Sequence, residues 1–272
     1  MTDTATEVPR CGYVALVGRP NVGKSTLLNY LLRQKLAITS RKPQTTRHIM
    51  LGVDTQGPRQ AIYVDTPGIH DHADREMNRY MVRSATSVLR DVNLIVMVLE
   101  RDAWTDEDEL VLSHVRRSQK PSLVAINKVD QLKRKEALLP VMDRLGKLDV
   151  FDAIIPISAL KRIGLDGLQK EVFARLPEHP HVFPPDQVTD QSEKFIVSEI
   201  IREKLMRRYG DEIPHRTAVV IESYQVLNDV VDIAADIYVE RHGQKRIIIG
   251  KAGEKLKLIG QEGRKDIESL LD

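Results

Sequence analysis

The sequence contains a single cysteine, few aromatic residues and no long apolar run. One cysteine, Cys11, excludes an internal disulfide framework and any zinc site that needs two or four cysteines. The longest apolar run, residues 94–99, is too short to span a bilayer, and the first ten residues lack the apolar core of a signal peptide. We therefore expect a reducing, cytoplasmic setting in which Cys11 is a partly buried structural thiol.

The charge of the chain is nearly balanced but unevenly distributed. Its 41 Lys and Arg residues and 39 Asp and Glu residues give a net charge of +2. Between residues 241 and 265, eight basic residues accompany two glutamates, so the remainder of the chain is net negative. Such a stretch indicates either a polyanion-binding surface or a solvated one, and charge alone does not decide between them.

Short apolar runs alternate with helix-period patterns over the first two thirds of the chain. The runs lack polar alternation, as expected of strands covered on both faces, and lie at residues 13–17, 61–64, 94–99, 123–126 and 154–157. Helical patterns lie at residues 25–36, 106–117, 133–145 and 165–176. This order predicts an α/β domain whose mostly parallel sheet has helices on both faces, with residues 48–53 pairing at an edge.

Four prolines within nine residues, at positions 177, 180, 184 and 185, indicate a linker. A different order follows, with a helical pattern over residues 192–209, strand patterns over 217–223 and 230–239, and an isoleucine run before Gly250. We predict a flexible leader over residues 1–10, a first domain over 11–176, a linker over 177–190 and a smaller α+β domain over 191–272.

Residues 18–25, with the sequence G-R-P-N-V-G-K-S, fit the pattern G-x-x-x-x-G-K-[ST] between a strand and a helix. Backbone N–H groups of such a loop surround phosphate oxygens, and the helix N-terminus adds partial positive charge. Lys24 is expected to bridge the β- and γ-phosphates, and Ser25 to place its hydroxyl on Mg²⁺. A glycine-containing turn with a surface lysine is the alternative, which the strand–loop–helix context disfavours.

The sequence D-T-P-G at residues 65–68 ends the second apolar run. A carboxylate at the end of a strand beside the phosphate loop is suited to support Mg²⁺, which predicts that role for Asp65. The N–H of Gly68 could then sense a γ-phosphate. Alone, the tetrapeptide would be read as a turn; its place on the next apolar strand favours the metal role.

The sequence N-K-V-D at residues 127–130 selects the base. The Asp130 carboxylate can accept hydrogen bonds from both N1–H and N2–H₂ of guanine, whereas adenine would leave it unpaired. Lys128 is expected to lie along the base and Asn127 to brace the loop and approach N7. Ser158-Ala159-Leu160 ends the fifth run, where the Ala159 N–H could bond guanine O6.

These motifs, together with Q-T-T-R-H at residues 44–48 and E-I-I-R-E-K at residues 199–204, resemble the Era family of translation-factor-like GTPases. The resemblance extends from about residue 12 to the end of the chain. It implies hydrolysis of GTP to GDP and phosphate with Mg²⁺. It also implies that residues 37–50 are switch I, that about 68–82 are switch II, and that Thr46, or failing it Thr45, reaches Mg²⁺ and the γ-phosphate.

The predicted nucleotide-binding residues are Gly18, Arg19, Pro20, Asn21, Val22, Gly23, Lys24, Ser25, Thr26, Thr45, Thr46, Asp65, Thr66, Pro67, Gly68, Asn127, Lys128, Asp130, Ser158, Ala159 and Leu160. Among them Ser25, Thr46 and Asp65 are predicted to hold the metal. A catalytic role is predicted for Lys24, Thr46 and Gly68.

Ile69 stands where many small GTPases have a glutamine that orients the attacking water, so slow intrinsic hydrolysis is expected. Relatives with a hydrophobic residue here can use K⁺ held partly by the phosphate-loop asparagine, which is Asn21. The loop histidines His70 and His72 are weak candidates for a base, and no catalytic base is assigned.

The sequence G-K-A-G at residues 250–253 resembles the G-x-x-G loop of a type II KH domain, which clamps the backbone of about four single-stranded nucleotides. The predicted RNA-binding residues are Lys245, Arg246, Ile249, Gly250, Lys251, Ala252, Gly253, Lys255 and Lys257. Aromatics are only 4% of the chain, so base stacking is not expected to dominate. The family pattern continues with a final strand; no strand pattern follows the last helix, so we expect the KH sheet to lack one.

The resemblance further implies binding near the 3′ end of 16S ribosomal RNA, a role in 30S subunit assembly and a bacterial cytoplasmic location with peripheral contact at the inner membrane. A monomer is expected. One alternative is an RNA-binding assembly scaffold that uses GTP as a structural ligand with little turnover, which Ile69 keeps open. Another, an ATP-dependent P-loop enzyme, is opposed by Asp130.

Overall fold

The structure, a computed structural model, describes residues 7–40, 42, 45–69, 76–101, 104–210, 213, 216–228 and 230–271, and for residues 76–81 the backbone alone. The chain divides into two compact units. The first comprises Met1–Arg33 and Thr46–Asp190, and the second comprises Gln34–Thr45 and Gln191–Asp272.

In the described residues, the first unit is built on a six-stranded sheet with the order β2-β3-β1-β4-β5-β6. Its strands are β1 (Arg10–Val17), β2 (Met50–Gln56), β3 (Arg59–Asp65), β4 (Leu94–Glu100), β5 (Ser122–Asn127) and β6 (Ala153–Pro156). All neighbours pair in parallel except β2, which pairs antiparallel with β3 at the edge. The predicted mostly parallel sheet is confirmed.

The helices of this unit are α1 (Lys24–Leu31), α2 (Glu76–Asp91), α3 (Asp106–Ser118), α4 (Leu139–Gly146) and α5 (Leu165–Arg175). Helix α1 is shorter than the predicted 25–36, because Arg33 adopts a left-handed φ of 55°, which ends helices. The predicted helix over 133–145 begins late: a 3₁₀ turn covers Lys135–Leu138, and α4 starts with Pro140 in its first turn, where the missing N–H costs nothing.

The central strands are buried on both faces, which explains their unbroken apolar runs. The core between sheet and helices includes Val96, Leu112 and Val124. Cys11 is also buried, and its thiol donates to Gln60 Oε1 at 3.4 Å. Because parallel strands end at the same edge, the loops after β1, β3, β5 and β6 carry the predicted motifs to one place.

The second unit contains α6 (Glu193–Arg208), an antiparallel pair β7 (Thr217–Leu227) and β8 (Val230–Val239), then α7 (His242–Ile249), a 3₁₀ turn over Lys251–Gly253, and α8 (Glu254–Leu271). Ser192 caps α6 by accepting a hydrogen bond from the Phe195 N–H. A small core joins helices and strands, with Leu205, Tyr209, Ile248 and Ile259 at its centre. The isoleucine run before Gly250 is the end of α7.

The unit boundaries differ from a simple division at the prolines. Residues 34–45 group with the second unit, whereas the proline-rich stretch groups with the first. There the Val182 and Phe183 N–H groups donate to Gln60 Oε1 at 2.9 and 3.0 Å. Of the predicted leader, residues 1–6 lie outside the described residues and Arg10 begins β1. Among the described helices, none combines the length and apolar composition that a membrane span needs.

Candidate functional site

Two glycines let the predicted phosphate loop and the loop after β3 pack tightly. Gly23 has a φ of 104°, and a Cβ there would lie 2.4 Å from Asn127 Nδ2. A Cβ on Gly68 would lie 2.7 Å from the Pro20 nitrogen. Both distances are far inside van der Waals contact, so only glycine fits, as expected where backbone must approach a ligand closely.

Lys24 is buried at the start of α1, and its Nζ donates to the carbonyls of Gly18 at 2.9 Å and Arg19 at 3.1 Å. Burial is the main reason that its pKa is lowered to about 8; the charge of Asp65 opposes this shift and that of Arg19 adds to it. A bound phosphate would favour the ammonium form. The lysine is therefore placed where an anionic ligand would stabilise its charge.

The three predicted metal ligands come together. Ser25 Oγ lies 2.9 Å from Thr46 Oγ1 and donates to Asp65 Oδ2 at 2.9 Å, while Thr46 Oγ1 lies 3.4 Å from the same oxygen. The Asp65 carboxyl is fully buried, and burial raises its pKa against the opposing effects of Lys24, Ser25 and Thr46. Its Oδ1 has no hydrogen-bond partner among the described residues. A buried carboxylate oxygen beside two hydroxyls fits a hard cation such as Mg²⁺.

The geometry separates the two switch threonines. Thr46 Oγ1 lies in the Ser25–Asp65 cluster, whereas Thr45 Oγ1 donates to the Lys42 carbonyl at 2.7 Å. The second unit also contains Thr45, while Thr46 belongs to the first. The preference for Thr46 over Thr45 therefore agrees with the geometry, and a metal-facing hydroxyl on Thr45 does not.

Asn127 connects the loops around the predicted base pocket. Its Nδ2 donates to the Val22 carbonyl at 2.8 Å, and its Oδ1 accepts from the N–H groups of Lys128 at 2.8 Å and Ala159 at 3.0 Å. Ser158 Oγ donates to Asp130 Oδ1 at 2.6 Å. The N-K-V-D and S-A-L sequences are thus joined, and the bracing role predicted for Asn127 matches these contacts.

The hydrogen bond predicted between the Ala159 N–H and guanine O6 has a competing acceptor within the protein. The Ala159 N–H, expected to bond guanine O6, is directed at Asn127 Oδ1 in this structure. The nearby Leu160 side chain is exposed, and its carbonyl accepts from Tyr30 Oη at 3.2 Å. Sharing of the Ala159 N–H with a purine oxygen stays a prediction.

Two side chains predicted to bind nucleotide are instead held by the protein. The Arg19 guanidinium contacts Glu100 at 3.0 Å and Asp108 at 3.2 Å, so only its backbone is available to phosphates. Thr66 Oγ1 donates to the buried Leu16 carbonyl at 2.8 Å. Sequence reasoning missed Glu100, which also pairs with Lys128 at 3.1 Å and so links the phosphate loop to the base motif.

The residue after Gly68 is directed away from the pocket. The Ile69 side chain is fully buried in the apolar core, and its N–H donates to the Gly18 carbonyl at 3.2 Å. It therefore cannot orient a water. Asn21 is exposed with a left-handed φ of 64°. His70 and His72 lie outside the described residues.

The G-x-x-G sequence forms the turn between α7 and α8. Gly250 and Gly253 have φ angles of 74° and 78°, and Ala252 lies between them at 51°. The basic residues predicted to contact RNA are all exposed; they are Lys245, Arg246, Lys251, Lys255 and Lys257. Exposed Ile247 and Leu256 flank the turn, and neither was among the predicted RNA-binding residues.

Two family models match the chain. One, described as a 50S ribosome-binding GTPase, matches residues 13–128, and the other, described as a KH domain, matches residues 212–272. Among curated proteins, the chain is 55% identical to GTPase Era of Ectopseudomonas mendocina over 272 residues, which is 100% of this chain and 90% of that protein. It is 53% identical to GTPase Era of Marinobacter nauticus over 273 residues, with coverage of 99% and 90%.

Two crystal structures resemble both halves of the chain. One is Era in complex with MgGDPNP and nucleotides 1506–1542 of 16S ribosomal RNA, with 38% identity, a TM-score of 0.92 and coverage of 97% of this chain and 90% of that chain. The other is a variant of Aquifex aeolicus Era bound to GDP and AlF₄⁻, with 38% identity, a TM-score of 0.91 and coverage of 96% and 90%.

Proposed function

Because the chain belongs to the Era family of GTPases, we propose that it is a nucleotide-controlled protein that binds the 3′ end of 16S ribosomal RNA and assists 30S subunit assembly. The observation that carries this proposal is the likeness of both halves to a solved Era that holds a GTP analogue and 16S RNA together. We assign GTP hydrolysis to residues 11–176 and RNA binding to residues 191–272, joined through residues 177–190.

Lys24 and the backbone N–H groups of the phosphate loop would bind the β- and γ-phosphates, and the Gly68 N–H would sense the γ-phosphate. Ser25, Thr46 and Asp65 would hold Mg²⁺, since their oxygens already converge. When bound, Mg²⁺ neutralises charge on the phosphate oxygens. The fully buried Asp65 carboxylate would then gain the partner that its Oδ1 lacks among the described residues.

Asp130 and its neighbours would select guanine. Ser158 fixes one carboxylate oxygen of Asp130, which orients the group that would accept from the Watson–Crick edge. An analogue without those donors would leave a carboxylate unpaired, which is costly. GTP rather than ATP is therefore the expected substrate.

Hydrolysis is expected to be slow without assistance. The Ile69 side chain is buried in the core and cannot position the attacking water. K⁺ near the exposed side chain of Asn21 would add positive charge beside the phosphates and raise the rate. Equal rates in NaCl and KCl at matched ionic strength would rule this out.

The exposed turn at residues 250–253 would clamp the RNA backbone, with Lys251 and the neighbouring basic residues on phosphates. Release of the switch segments after hydrolysis would change how the KH domain is displayed. We place the protein in the bacterial cytoplasm, as a monomer with peripheral contact at the inner membrane.

The test combines turnover with RNA binding. Phosphate release from GTP and ATP is measured for the full chain and for Lys24→Ala, with the exposed Lys170→Ala as a charge-matched control. Binding of fluorescent single-stranded RNA from the 3′ end of 16S ribosomal RNA is measured with GDP and with a non-hydrolysable GTP analogue. For this assay the variants are Lys251→Ala and the exposed control Lys194→Ala.

We expect GTP-specific turnover that Lys24→Ala abolishes, and tighter RNA binding with the analogue. Each lost phosphate contact should lower the slope of log K against log salt by about 0.7 for a single strand, in Lys251→Ala but not in Lys194→Ala. RNA binding without GTP hydrolysis, in both NaCl and KCl, would instead favour the RNA-binding scaffold, an alternative that the buried Ile69 supports. Absence of RNA binding in both nucleotide states would contradict the RNA-binding assignment.

A further inference from the structure

Residues 34–45 lie with the second unit, although the residues on both sides of them in the sequence lie with the first. We call residues 34–45 the switch segment, because they cover most of the predicted switch I and end one residue before Thr46. Residues 34–40, 42 and 45 of it are described. The segment is anchored near both of its ends, each time by side chains of α6.

Glu203 anchors the beginning of the switch segment. Its fully buried carboxylate accepts hydrogen bonds from Lys35 Nζ at 2.7 Å and from the Thr39 N–H at 2.8 Å, and it pairs with Arg207 at 2.9 Å. Lys35 also contacts Asp266 on α8 at 2.5 Å. Burial opposes ionisation, but these hydrogen bonds and the charges of Lys35 and Arg207 hold the pKa of Glu203 below its ordinary value.

Arg202 anchors the end of the segment. Its guanidinium is 3% exposed and donates to the Thr45 carbonyl at 2.5 Å. Two further hydrogen bonds to Glu199, each of 2.6 Å, fix the orientation of the guanidinium plane. Lys42 Nζ adds a contact to the Tyr209 carbonyl. The segment is thus held by charged groups at several points rather than by apolar packing alone.

The anchored carbonyl of Thr45 shares one planar peptide unit with the nitrogen of Thr46. Thr46 Oγ1 lies 2.9 Å from Ser25 Oγ in the predicted metal cluster. Any shift of the Thr45 carbonyl therefore moves the residue whose hydroxyl completes that cluster. A misplacement of about 1 Å in a catalytic site can cost about 10²-fold in rate.

From these contacts we infer that Arg202 and Glu203 are positioning residues for GTP hydrolysis: by holding the switch segment on α6, they fix the placement of Thr46. The inference rests on the proposed function, since it needs GTP turnover at the predicted pocket.

A purely structural role for these charges makes a different prediction. Removing one member of a buried charge cluster destabilises the fold, and a weakened fold would lower nucleotide affinity and turnover together. A positioning role lowers kcat for GTP while GDP affinity is kept, because GDP has no γ-phosphate for Thr46 to reach. Comparing the loss of kcat with the loss of GDP affinity therefore distinguishes a positioning role from a purely structural one.

The experiment measures kcat for GTP hydrolysis, GDP affinity and Tm for the full chain without RNA. The main variants are Arg202→Ala and Arg202→Lys, and Lys35→Ala is added because its partly exposed side chain makes it tolerant of replacement. The matched control is Arg208→Ala, which removes an α6–α8 ion pair with Glu262 that has no contact with the described residues of the switch segment.

For Arg202→Ala we expect kcat to fall about ten- to hundredfold, with GDP affinity changed by less than about twofold. Arg202→Lys should recover part of the rate, since an ammonium can still donate to the Thr45 carbonyl. Lys35→Ala should lower kcat by a smaller factor, and Arg208→Ala should leave it unchanged. In a Thr46→Val background, Arg202→Ala should cause no further loss, because both act on the same group.

An unchanged kcat in folded Arg202→Ala and Lys35→Ala, with an active parent chain, would overturn the inference and leave the proposed function standing. Parallel losses of kcat and GDP affinity, or additive losses in the Thr46→Val background, would overturn it too. Absence of GTP turnover in the parent chain would instead refute the enzymatic part of the proposed function, and this inference with it.

Discussion

Replacing Asn127 with alanine removes three hydrogen bonds that join separate loops of the nucleotide pocket. The bonds run to the Val22 carbonyl at 2.8 Å and from the N–H groups of Lys128 and Ala159 at 2.8 and 3.0 Å. The side chain is 2% exposed, so water cannot readily take its place. The substitution therefore tests whether one buried amide holds the phosphate loop and the base-recognition loops in register.

The magnitude follows from the number of bonds lost. Each intramolecular hydrogen bond contributes about 0.5–1.5 kcal/mol net, so three predict a loss of about 3 kcal/mol in the free energy of unfolding. For a unit of this size, each kcal/mol lost from the free energy of unfolding lowers Tm by about 2–4 °C, so the Tm of the first unit should fall by roughly 6–12 °C. GDP affinity should also fall, because the loops lose their common brace.

Differential scanning calorimetry and GDP titration of Asn127→Ala would measure both effects. The matched control is Asn93→Ala, because Asn93 Oδ1 accepts one hydrogen bond, from the Tyr13 N–H at 2.9 Å, at a more exposed position. It should lower Tm by roughly 2–4 °C, from the loss of about 1 kcal/mol, and leave GDP affinity unchanged. Equal Tm shifts for the two variants would refute the reasoning.

Three further predictions concern other residues. Asp130→Asn keeps the acceptor of Ser158 but loses the carboxylate, so GTP affinity should fall about ten- to hundredfold and xanthosine triphosphate should be accepted; unchanged guanine preference in competition titrations would contradict this. Burial raises the pKa of Cys11, so its thiol should react with an aromatic disulfide reagent far more slowly in the native chain than in urea, and equal rates would contradict it. Burial opposes ionisation of Glu203 and Asp266, yet their basic partners hold the pKa of each carboxyl below its ordinary value. Their contribution to the free energy of unfolding is therefore complete above about pH 5 and is lost as the pH falls through the pKa values of the folded state. Denaturant unfolding measured from about pH 7 to about pH 3 should show this loss, and Asp266→Asn should make the free energy of unfolding depend less on pH.

Local patterns were sufficient to predict the sheet and to place several of the motifs at its edge. Unbroken apolar runs identified the buried parallel strands, and each motif follows one of them, so the topology alone brings the Asp65 and Asn127 loops beside Lys24. The cluster of Ser25, Thr46 and Asp65 needed a resemblance as well, since nothing in the spacing distinguishes Thr46 from Thr45.

Long-range charge pairs could not be predicted in this way. Arg19 looks like a phosphate contact because it lies in the phosphate loop, but its guanidinium meets Glu100 at the end of β4 and Asp108 in the first turn of α3. In the structure, Asp108 also forms a capping box with Thr105 at the start of α3. The local sequence contains no signal that the same carboxylate accepts a hydrogen bond from an arginine 89 residues away.

The grouping of residues 34–45 with the second unit could not be predicted for a related reason. Sequence patterns locate boundaries where composition changes, and the prolines at 177–185 are such a place, whereas the switch segment is short and has ordinary composition. In the second unit it forms hydrogen bonds with Glu203 and Arg202, more than 150 residues later in the sequence. A buried Glu203 that meets Lys35 is costly to desolvate and would be poorly explained by stability alone, because an apolar pair of similar volume would serve at least as well. Under the proposed function, a charged anchor that can be gained or lost as a unit suits a segment that changes its placement when GTP becomes GDP, and the rate of hydrolysis in Arg202→Ala is then more informative than its Tm.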